Sequence, residues 1–451
     1  MGSLVSKMKY LEQLAARRRF GMRPGLEAVS AVLASLGNPQ KDLPVVHVAG
    51  TNGKGAVVSL LDECFRSAGL KSARYTSPHL VKLNERFFLE GKPLSDSLLE
   101  RVSLKVEAAL RALGEDHSEV TFFEALTLVA FELYSSEKVD VAVLETGLGG
   151  RLDATNVCKP RISVITRIGL DHCDWLGDTP EKIASEKAGI IKPNVPIILG
   201  RNIDSVREVV EARAREVGAP FFYAPDIVSE DAIPEGYSLG GSFNRENALT
   251  ALAVLKVAQD LKLFSFPRPE RLLDGFESVV WPGRFQRVGN TIVDGAHNPP
   301  AARALAAALQ TEAGAFTLVA GFCADKDVGE TLSILAPHVK KAYAVRTNNP
   351  RSLSAEDLAA KMRECGIDAE PCSSLGEAFT LAGVDTVAKG VGEVLICGSL
   401  FLAGEALVAL GAYPWSANRF DPSEKLRSNP LPKHFTDENG RFSHLIFGGL
   451  K

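Results

Sequence analysis

The stretch His47-Val-Ala-Gly-Thr-Asn-Gly-Lys-Gly-Ala56 decides the fold of this chain. An apolar run at residues 45–48 leads into a glycine-rich turn, and an apolar pattern with helical spacing follows the turn. Glycines allow backbone N–H groups to converge on phosphate oxygens, and the following helix adds the positive end of its dipole. Lys54 lies inside the turn and can reach the outer phosphates as a point charge. The stretch therefore predicts a strand, loop and helix that bind a nucleotide.

The end of this loop departs from the common phosphate-binding pattern. Its spacing is shorter than G-x-x-x-x-G-K-[ST], and Ala56 stands where a hydroxyl usually binds magnesium. A metal ion at this loop therefore needs ligands from other parts of the chain.

Length and composition are those of a soluble globular protein. The 451 residues are 45% hydrophobic and 24% charged, and the net charge of −4 favours neither nucleic acid nor a membrane surface. Seven cysteines are scattered without a C-x-x-C pair, which argues against a zinc ribbon or a disulfide framework. We therefore expect a cytoplasmic monomer with small-molecule partners and with no nucleic-acid or membrane partner.

Short β-type runs alternate with helical patterns, as in βαβ units with a mainly parallel sheet. The first series predicts strands at residues 45–48, 73–76, 139–144, 162–166 and 196–199, and helices at 54–69, 95–113, 122–136, 180–189, 203–217 and 244–261. The second series predicts strands at residues 291–293, 316–320, 342–345 and 393–397, and helices at 301–311, 328–335, 355–364, 375–382 and 400–410.

These two series predict two α/β domains. Residues 1–288 form an N-terminal P-loop ATPase-like domain with a mainly parallel sheet, and residues 289–412 form a smaller C-terminal Rossmann-like α/β domain. Prolines and polar residues dominate after that point, so we expect residues 413–451 to be a loosely ordered tail.

Polar and ionisable residues cluster directly after the predicted strands, at the edge where open α/β sheets bind ligands. Taken singly, each has a structural explanation: Glu145 suits a helix cap, His172 a structural histidine and Lys187 a solvated helix lysine. Together with a phosphate loop at the same edge, they favour a functional site. The clusters cover residues 77–79, 145–156, 169–172, 185–192 and 294–299.

These segments resemble the folylpolyglutamate synthase/dihydrofolate synthase family of ATP-dependent amide ligases, which are relatives of the peptidoglycan Mur ligases. The resemblance follows the family's order over residues 40–400, and it identifies residues 1–288 with an ATP-binding Mur ligase-like domain and residues 289–412 with a glutamate-ligase domain. The matching segments are HVAGTNGKG, YTSPHL, NERF, TFFEALT, ETGLGGRLDATN, GLDH, EKAGIIK, FNRENAL, PGRFQ and DGAHNP.

The resemblance implies an ATP site. Asn247 would meet the adenine side, Arg284 would meet phosphate oxygens, and Asp294 and His297 would contact ribose and phosphate. The residues that would cradle the phosphates are Gly50, Thr51, Asn52, Gly53, Lys54 and Gly55. The residues that it implies for catalysis are Lys54, Lys187, Arg284 and His297.

The resemblance also implies a metal site and a pterin site. Ser77, Glu145 and His172 would hold Mg²⁺. Lys187 would join them as a carbamate, because an ammonium cannot bind a cation whereas a carbamate is a carboxylate on a long stem. The positions that match the pterin site are Phe123, Asp153 and Ala154.

The reaction implied by the resemblance is the ATP-dependent addition of L-glutamate to folates through an acyl phosphate. The match at the pterin positions favours a bifunctional enzyme that also converts dihydropteroate to dihydrofolate. The implied cofactors are ATP and Mg²⁺, with a monovalent cation such as K⁺, and the implied substrates are folate or dihydropteroate, L-glutamate and ATP.

Three other functions stay open at this point. A Mur-type enzyme would add an amino acid to a UDP-sugar peptide, but the segments TFFEALT and GGRLDATN argue against it. A P-loop NTPase switch would lack ligase activity, and Ala56 fits its G-K-[ST] signature poorly. A binding protein without chemistry would not need Glu145, His172 and Lys187 together.

Overall fold

The structure is a computed structural model that divides into two compact units. The first unit comprises residues 25–238 and 244–280, and the second comprises residues 239–243 and 281–415. Across both units, the residues that the structure describes are 25–114, 120–312, 314–388 and 393–415.

The first unit is built on an eight-stranded sheet, counted over its described residues. Its strands are β1 (Val45–Ala49), β2 (Ser72–Tyr75), β3 (Phe87–Leu89), β4 (Lys92–Pro93), β5 (Val141–Glu145), β6 (Ile162–Ile165), β7 (Ile197–Leu199) and β8 (Phe221–Tyr223). The spatial order is β4-β3-β2-β5-β1-β6-β7-β8. The six strands from β2 to β8 in that order are parallel, and β3 and β4 add an antiparallel edge.

Strand β1 lies inside this sheet, between β5 and β6, and all five of its residues are buried. Its register places Val48 beside Glu145 and Ala49 beside Ile165. Because the three strands are parallel and end together, the loops that follow them start at the same edge of the sheet.

Among the described residues, two apolar clusters pack helices against this sheet. The first cluster joins α1, α3 and α4 to strands on the β2 side, and the second joins α6 and α7 to β6 and β7. These five helices are α1 (Glu27–Ser35), α3 (Asp96–Ala112), α4 (Phe122–Ser136), α6 (Pro180–Lys187) and α7 (Asp204–Val217). The other helices that lie wholly or mainly in this unit are α2 (Lys54–Ser67), α5 (Cys173–Leu176), α8 (Ala224–Ile227), α9 (Ser242–Asp260) and α10 (Gly275–Ser278).

The second unit has a six-stranded sheet among its described residues. Its strands are β9 (Gln286–Val288), β10 (Thr291–Val293), β11 (Phe316–Ala320), β12 (Val339–Ala344), β13 (Ala369–Pro371) and β14 (Val394–Cys397), in the order β13-β12-β11-β14-β10-β9. Only the β9–β10 pair of this sheet is antiparallel. The helices are α11 (Pro299–Leu309), α12 (Val328–Leu335), α13 (Ala355–Glu364), α14 (Leu375–Ala382) and α15 (Leu400–Ala409).

The predicted α/β class with a mainly parallel first sheet is confirmed. The domain limits stay predictions, but the main segment of the compact second unit begins at Trp281, before the expected start at residue 289. The difference arises because β9 pairs with β10 and therefore belongs to the second sheet. The tail expected at residues 413–451 lies almost entirely outside the described residues. Within them, no helix is both long and apolar enough to cross a bilayer.

Candidate active site

Two glycines of the phosphate loop have conformations and neighbours that exclude a side chain. Gly50 and Gly53 have φ angles of +154° and +86°. A Cβ on Gly50 would lie 1.9 Å from Thr166 Oγ1, and a Cβ on Gly53 would lie 2.1 Å from Asn247 Oδ1. The loop therefore needs glycine at both positions, and Asn247 lies against it.

The middle of the loop is bonded to the segment that follows β6. The N–H groups of Thr51 and Asn52 donate to the carbonyl oxygen of Arg167 over 3.0 and 3.3 Å. The Thr51 hydroxyl donates to the Gly169 carbonyl and accepts from the Gly169 N–H. These two loop N–H groups are therefore used inside the protein. An anion here would meet the first turn of α2, whose N–H groups have no acceptor within the helix.

Lys54, Ser77 and Glu145 come together at the ends of β1, β2 and β5. The Lys54 ammonium lies 3.8 Å from a carboxylate oxygen of Glu145 and 3.2 Å from the Thr51 carbonyl oxygen. The other Glu145 oxygen accepts a hydrogen bond from the Ser77 N–H over 3.1 Å. Because Glu145 is only 4% exposed, its charge is poorly screened by water.

Lys187, the last residue of α6, is also buried, at 4% exposure. Burial and, to a smaller extent, the positive charge of Lys54 lower the pKa of Lys187 to about 7, against the opposing charges of Asp171 and Asp153. Lys187 therefore interacts electrostatically with these three charged groups, and a large fraction of its side chains carry a neutral amine near pH 7.

His172 lies at the start of α5 in the left-handed region, with φ of +52°. Its Nε2 is 3.8 Å from an Asp171 oxygen, and its side chain is about half exposed. Among the described residues, no group of three or more His, Cys, Asp and Glu side chains is placed to hold a metal ion. The expected ligands include only two side chains of those types, His172 and Glu145, so the metal site stays a prediction.

The pterin positions lie around the loop that follows β5. Asp153 is buried, and its Oδ2 accepts hydrogen bonds from the N–H groups of Gly147 and Leu148, both over 2.8 Å. Burial raises the pKa of Asp153, and these hydrogen bonds oppose that change. The Phe123 ring packs on Gly147, where a Cβ would lie 2.5 Å from it, and Ala154 is buried. The structure therefore brings Phe123 and the Asp153 loop together.

The sequence gives no sign of the buried guanidinium of Arg86, which lies beside His79. The Arg86 Nε donates to His79 Nδ1 over 3.0 Å, and burial lowers the pKa of Arg86. The Glu85 carboxylate accepts from the N–H groups of Leu80 and Val81, which orders the segment after His79. The NERF segment contains Arg86, but its sequence does not show that the chain folds back to Thr76 and His79.

In the second unit, three expected site residues gather after β10. The Asp294 carboxylate accepts from the N–H groups of Phe285 and Ala296, both over 2.8 Å. Burial raises the pKa of Asp294, and the charge of Arg284 opposes the rise. His297 Nδ1 lies 2.8 Å from the Gly295 carbonyl oxygen. The structure thus places Arg284, Asp294 and His297 at one end of β10.

Family models match both units. The Mur ligase middle domain matches residues 48–223, and the Mur ligase glutamate ligase domain matches residues 283–400. Fold and site together define an ATP-dependent ligase of the Mur ligase type.

Curated relatives narrow this class to one family. The chain is 34% identical over 425 residues to the dihydrofolate synthase/folylpolyglutamate synthase of Escherichia coli (strain K12), covering 91% of this chain and 96% of the relative. It is 36% identical over 370 residues to the protein of the same name in Bacillus subtilis (strain 168), covering 76% and 85%. The chain belongs to the folylpolyglutamate synthase/dihydrofolate synthase family.

Solved structures agree with this assignment. Mycobacterium tuberculosis folylpolyglutamate synthase complexed with ADP and AMPPCP is 30% identical, with a TM-score of 0.79 over 90% of this chain and 99% of that one. E. coli FolC in complex with DHPP and ADP is 32% identical, with a TM-score of 0.78 over 90% and 98%. The Yersinia pestis enzyme complexed with AMPPNP and Mn ion is 31% identical, with a TM-score of 0.76 over 90% and 98%.

Proposed function

We propose that this protein uses ATP to join L-glutamate to folates, and also to dihydropteroate, through an acyl phosphate. The observation that carries the proposal is the meeting of Lys54 with the buried carboxylate of Glu145 at the ends of adjacent strands β1 and β5. A lysine beside a glycine-rich loop and a carboxylate at the next strand end suit a bound nucleotide and its metal ion.

The chemistry follows from the poor leaving group of a carboxylate. An acceptor carboxylate oxygen attacks the γ-phosphorus of ATP, the bond to the β-phosphate oxygen breaks, and ADP leaves. The amine nitrogen of glutamate then attacks the acyl carbon, loses a proton, and inorganic phosphate leaves. The protein contributes positioning and charge neutralisation rather than a covalent intermediate of its own.

Lys54 would neutralise charge on the transferring phosphoryl group, since its ammonium lies at the loop where phosphates would sit. The first turn of α2 would add N–H donors and the positive end of its dipole. In the second unit we propose that Arg284 and His297 bind phosphate oxygens and that Asp294 binds ribose hydroxyls.

The residues at Glu145 fit a hard cation, because its buried carboxylate offers oxygen and Ser77, whose N–H donates to that carboxylate, carries a hydroxyl. Ser77, Glu145 and His172, with Lys187 as its carbamate, would hold Mg²⁺. When bound, Mg²⁺ would offset the negative charge of the phosphate oxygens.

Lys187 would form its carbamate by attack of the neutral amine nitrogen on carbon dioxide, with release of one proton. The lowered pKa of Lys187 supports this step, because only the neutral amine has the lone pair that attacks. Burial would then shield the carbamate from the water that decomposes it.

An assay of purified protein with ATP and magnesium tests the proposal by measuring ADP and the ligated product. Separate reactions contain tetrahydrofolate, dihydropteroate, a UDP-sugar peptide or no acceptor, each with and without L-glutamate. We expect product with tetrahydrofolate and with dihydropteroate, and only when glutamate is present. Product formation with tetrahydrofolate but not with dihydropteroate would show that the protein lacks the proposed dihydrofolate synthase activity. Turnover only with a UDP-sugar peptide, or ADP release without any acceptor, would overturn the proposal.

A further inference from the structure

A buried chain of hydrogen bonds links β1 to the loop that follows β5. His47, in the middle of β1, is 0% exposed, and its Nε2 lies 2.8 Å from Thr155 Oγ1. Thr155 is also 0% exposed, and its hydroxyl donates to Asp153 Oδ1 over 2.5 Å. Neither His47 nor Thr155 is among the site residues that the family resemblance implies.

The direction of the hydrogen bonds in this chain follows from counting protons. Asp153 accepts four hydrogen bonds, two at Oδ2 and two at Oδ1, which fills the lone pairs of a carboxylate. The Thr155 hydroxyl therefore donates its single proton to Asp153. The Thr155 oxygen must then accept from His47, so the imidazole carries its proton on Nε2.

The surroundings of His47 agree with this tautomer. Burial lowers the pKa of His47 to about 3, with the charge of Lys192 as a smaller cause, so the ring stays neutral at physiological pH. Its Nδ1 has no hydrogen-bond partner among the described residues, as suits a lone pair left in an apolar core.

At the other end of this chain of hydrogen bonds, Asp153 fixes the backbone beside the expected pterin position. Asp153 holds the N–H groups of Gly147 and Leu148, and Gly147 lies directly under the Phe123 ring. A change at Thr155 or His47 therefore reaches Phe123 through one carboxylate. The phosphate loop has its own bonds, to Arg167 and Gly169, which do not pass through Asp153.

We propose that His47 and Thr155 are positioning residues for the acceptor substrate, which orient Asp153 and thereby the loop that binds the pterin ring. This inference rests on the proposed function, because it needs an acceptor to bind there. Neither residue contacts the reacting atoms in this account.

Steady-state kinetics of Thr155→Val and Thr155→Ser test the proposal. Valine keeps the shape and removes the hydroxyl, whereas serine keeps the hydroxyl. We expect Thr155→Val to raise the KM for dihydropteroate by about tenfold while the KM for ATP stays within about twofold, since only the acceptor loop loses its anchor. Thr155→Ser should stay close to wild type for both substrates.

Thr331→Val is a matched control in the second unit. Thr331 is buried in α12, and its hydroxyl donates to the carbonyl oxygen of Asp327, the residue before that helix. The same substitution therefore removes one hydroxyl hydrogen bond at a position distant in sequence from the loop. We expect it to leave both KM values unchanged. An equal rise of both KM values in Thr155→Val, an unchanged acceptor KM, or failure of Thr155→Ser to behave as wild type would overturn the inference.

Nitrogen-15 NMR of histidine-labelled wild-type protein keeps the proposal testable if a variant fails to fold. One imidazole should show the Nε2–H tautomer and no titration between about pH 5 and pH 9, and His47→Gln should remove that signal. An Nδ1–H tautomer or a titrating ring at this position would contradict the proposed direction of the hydrogen bonds from His47 to Asp153. If wild type turns over no acceptor, the proposed function is wrong. The NMR result then still tests the hydrogen-bond chain, because it does not depend on activity.

Discussion

Two glycine-rich loops follow neighbouring strands of one sheet, and they are held in different ways. The phosphate loop after β1 is fixed by close contact and by its backbone, since Gly50 and Gly53 have positive φ angles and lie against the side chains of Thr166 and Asn247, which an added Cβ would displace. The loop after β5 is fixed by one buried carboxylate, Asp153, which collects N–H groups from along the loop. A loop fixed by contact fails when atoms are added, whereas a loop fixed by a charge fails when that charge is removed.

The largest effect is expected from Lys54→Ala. We expect acceptor-dependent ADP formation to fall by about a thousandfold or more, because the ammonium beside the phosphates is lost. Lys256→Ala is the control, since that lysine is exposed on α9 and pairs with Asp260. A Lys54→Ala enzyme with near-normal kcat would show that this loop does not bind the reacting phosphates.

Adding one methyl group to the phosphate loop should be the next most damaging change. Gly53→Ala introduces a Cβ 2.1 Å from Asn247 Oδ1 at a φ of +86°, so we expect a loss of about 1–3 kcal/mol in unfolding free energy and a raised KM for ATP. In contrast, Gly329 in α12 has no atom within 4 Å of an added Cβ. Gly329→Ala should stabilise the protein by about 0.5–1 kcal/mol. Urea titration of both variants and of wild type measures these unfolding free energies. Equal stability changes in the two variants would contradict the steric account of the loop.

Removing the charge in the second loop should affect the other substrate. Asp153→Asn keeps the size but turns one acceptor into a donor group, so at least one loop N–H loses its partner. We expect the acceptor KM to rise by about tenfold, with a smaller change in the KM for ATP. A larger rise in the KM for ATP than in the acceptor KM would contradict the proposal that the Asp153 loop binds the acceptor and the phosphate loop binds ATP.

Activity should depend on pH and carbon dioxide together. Since the pKa of Lys187 is lowered to about 7, its amine is mostly protonated below that pH and unable to attack carbon dioxide. Under low bicarbonate we expect activity to fall as the pH drops through about 7, and added bicarbonate should restore part of it. Rates that do not respond to bicarbonate between about pH 6 and 8 would argue against the carbamate.

The smallest effect is expected from Ala56→Ser, which adds a hydroxyl at the position where the common G-K-[ST] phosphate loop has one. If Ser77 and Glu145 provide the oxygen ligands, the added hydroxyl is not needed, and kcat should change by less than about threefold, under 1 kcal/mol. A large gain in activity would show that the missing hydroxyl limits this enzyme.

Periodicity predicted the buried elements well and the edge strands poorly. Residues 122–136, 291–293, 316–320 and 328–335 were predicted with the limits that the structure has. The five short strands Phe87–Leu89, Lys92–Pro93, Phe221–Tyr223, Gln286–Val288 and Ala369–Pro371 were missed. Each has only two or three residues and lies at or near a sheet edge, so its pairing partner rather than its own pattern defines it.

The candidate site shows the same division. The phosphate loop and the strand-end residues were found from sequence because parallel strands bring their ends to one edge. His47 and Thr155 were missed because they lie 108 positions apart, and a histidine in an apolar strand gives no sign of its partner. Arg86 was missed for a similar reason, since its bond to His79 forms only when β3 folds back beside β2.

The most direct test of the central claim follows oxygen from the acceptor to phosphate. Dihydropteroate labelled with oxygen-18 in its carboxyl group is incubated with the enzyme, ATP, magnesium and L-glutamate, and the inorganic phosphate is analysed by mass spectrometry. The acyl-phosphate route predicts one labelled oxygen in the phosphate for each amide formed, because the carboxyl oxygen leaves with it. Unlabelled phosphate accompanying dihydrofolate, or phosphate release that does not need the acceptor, would contradict the account.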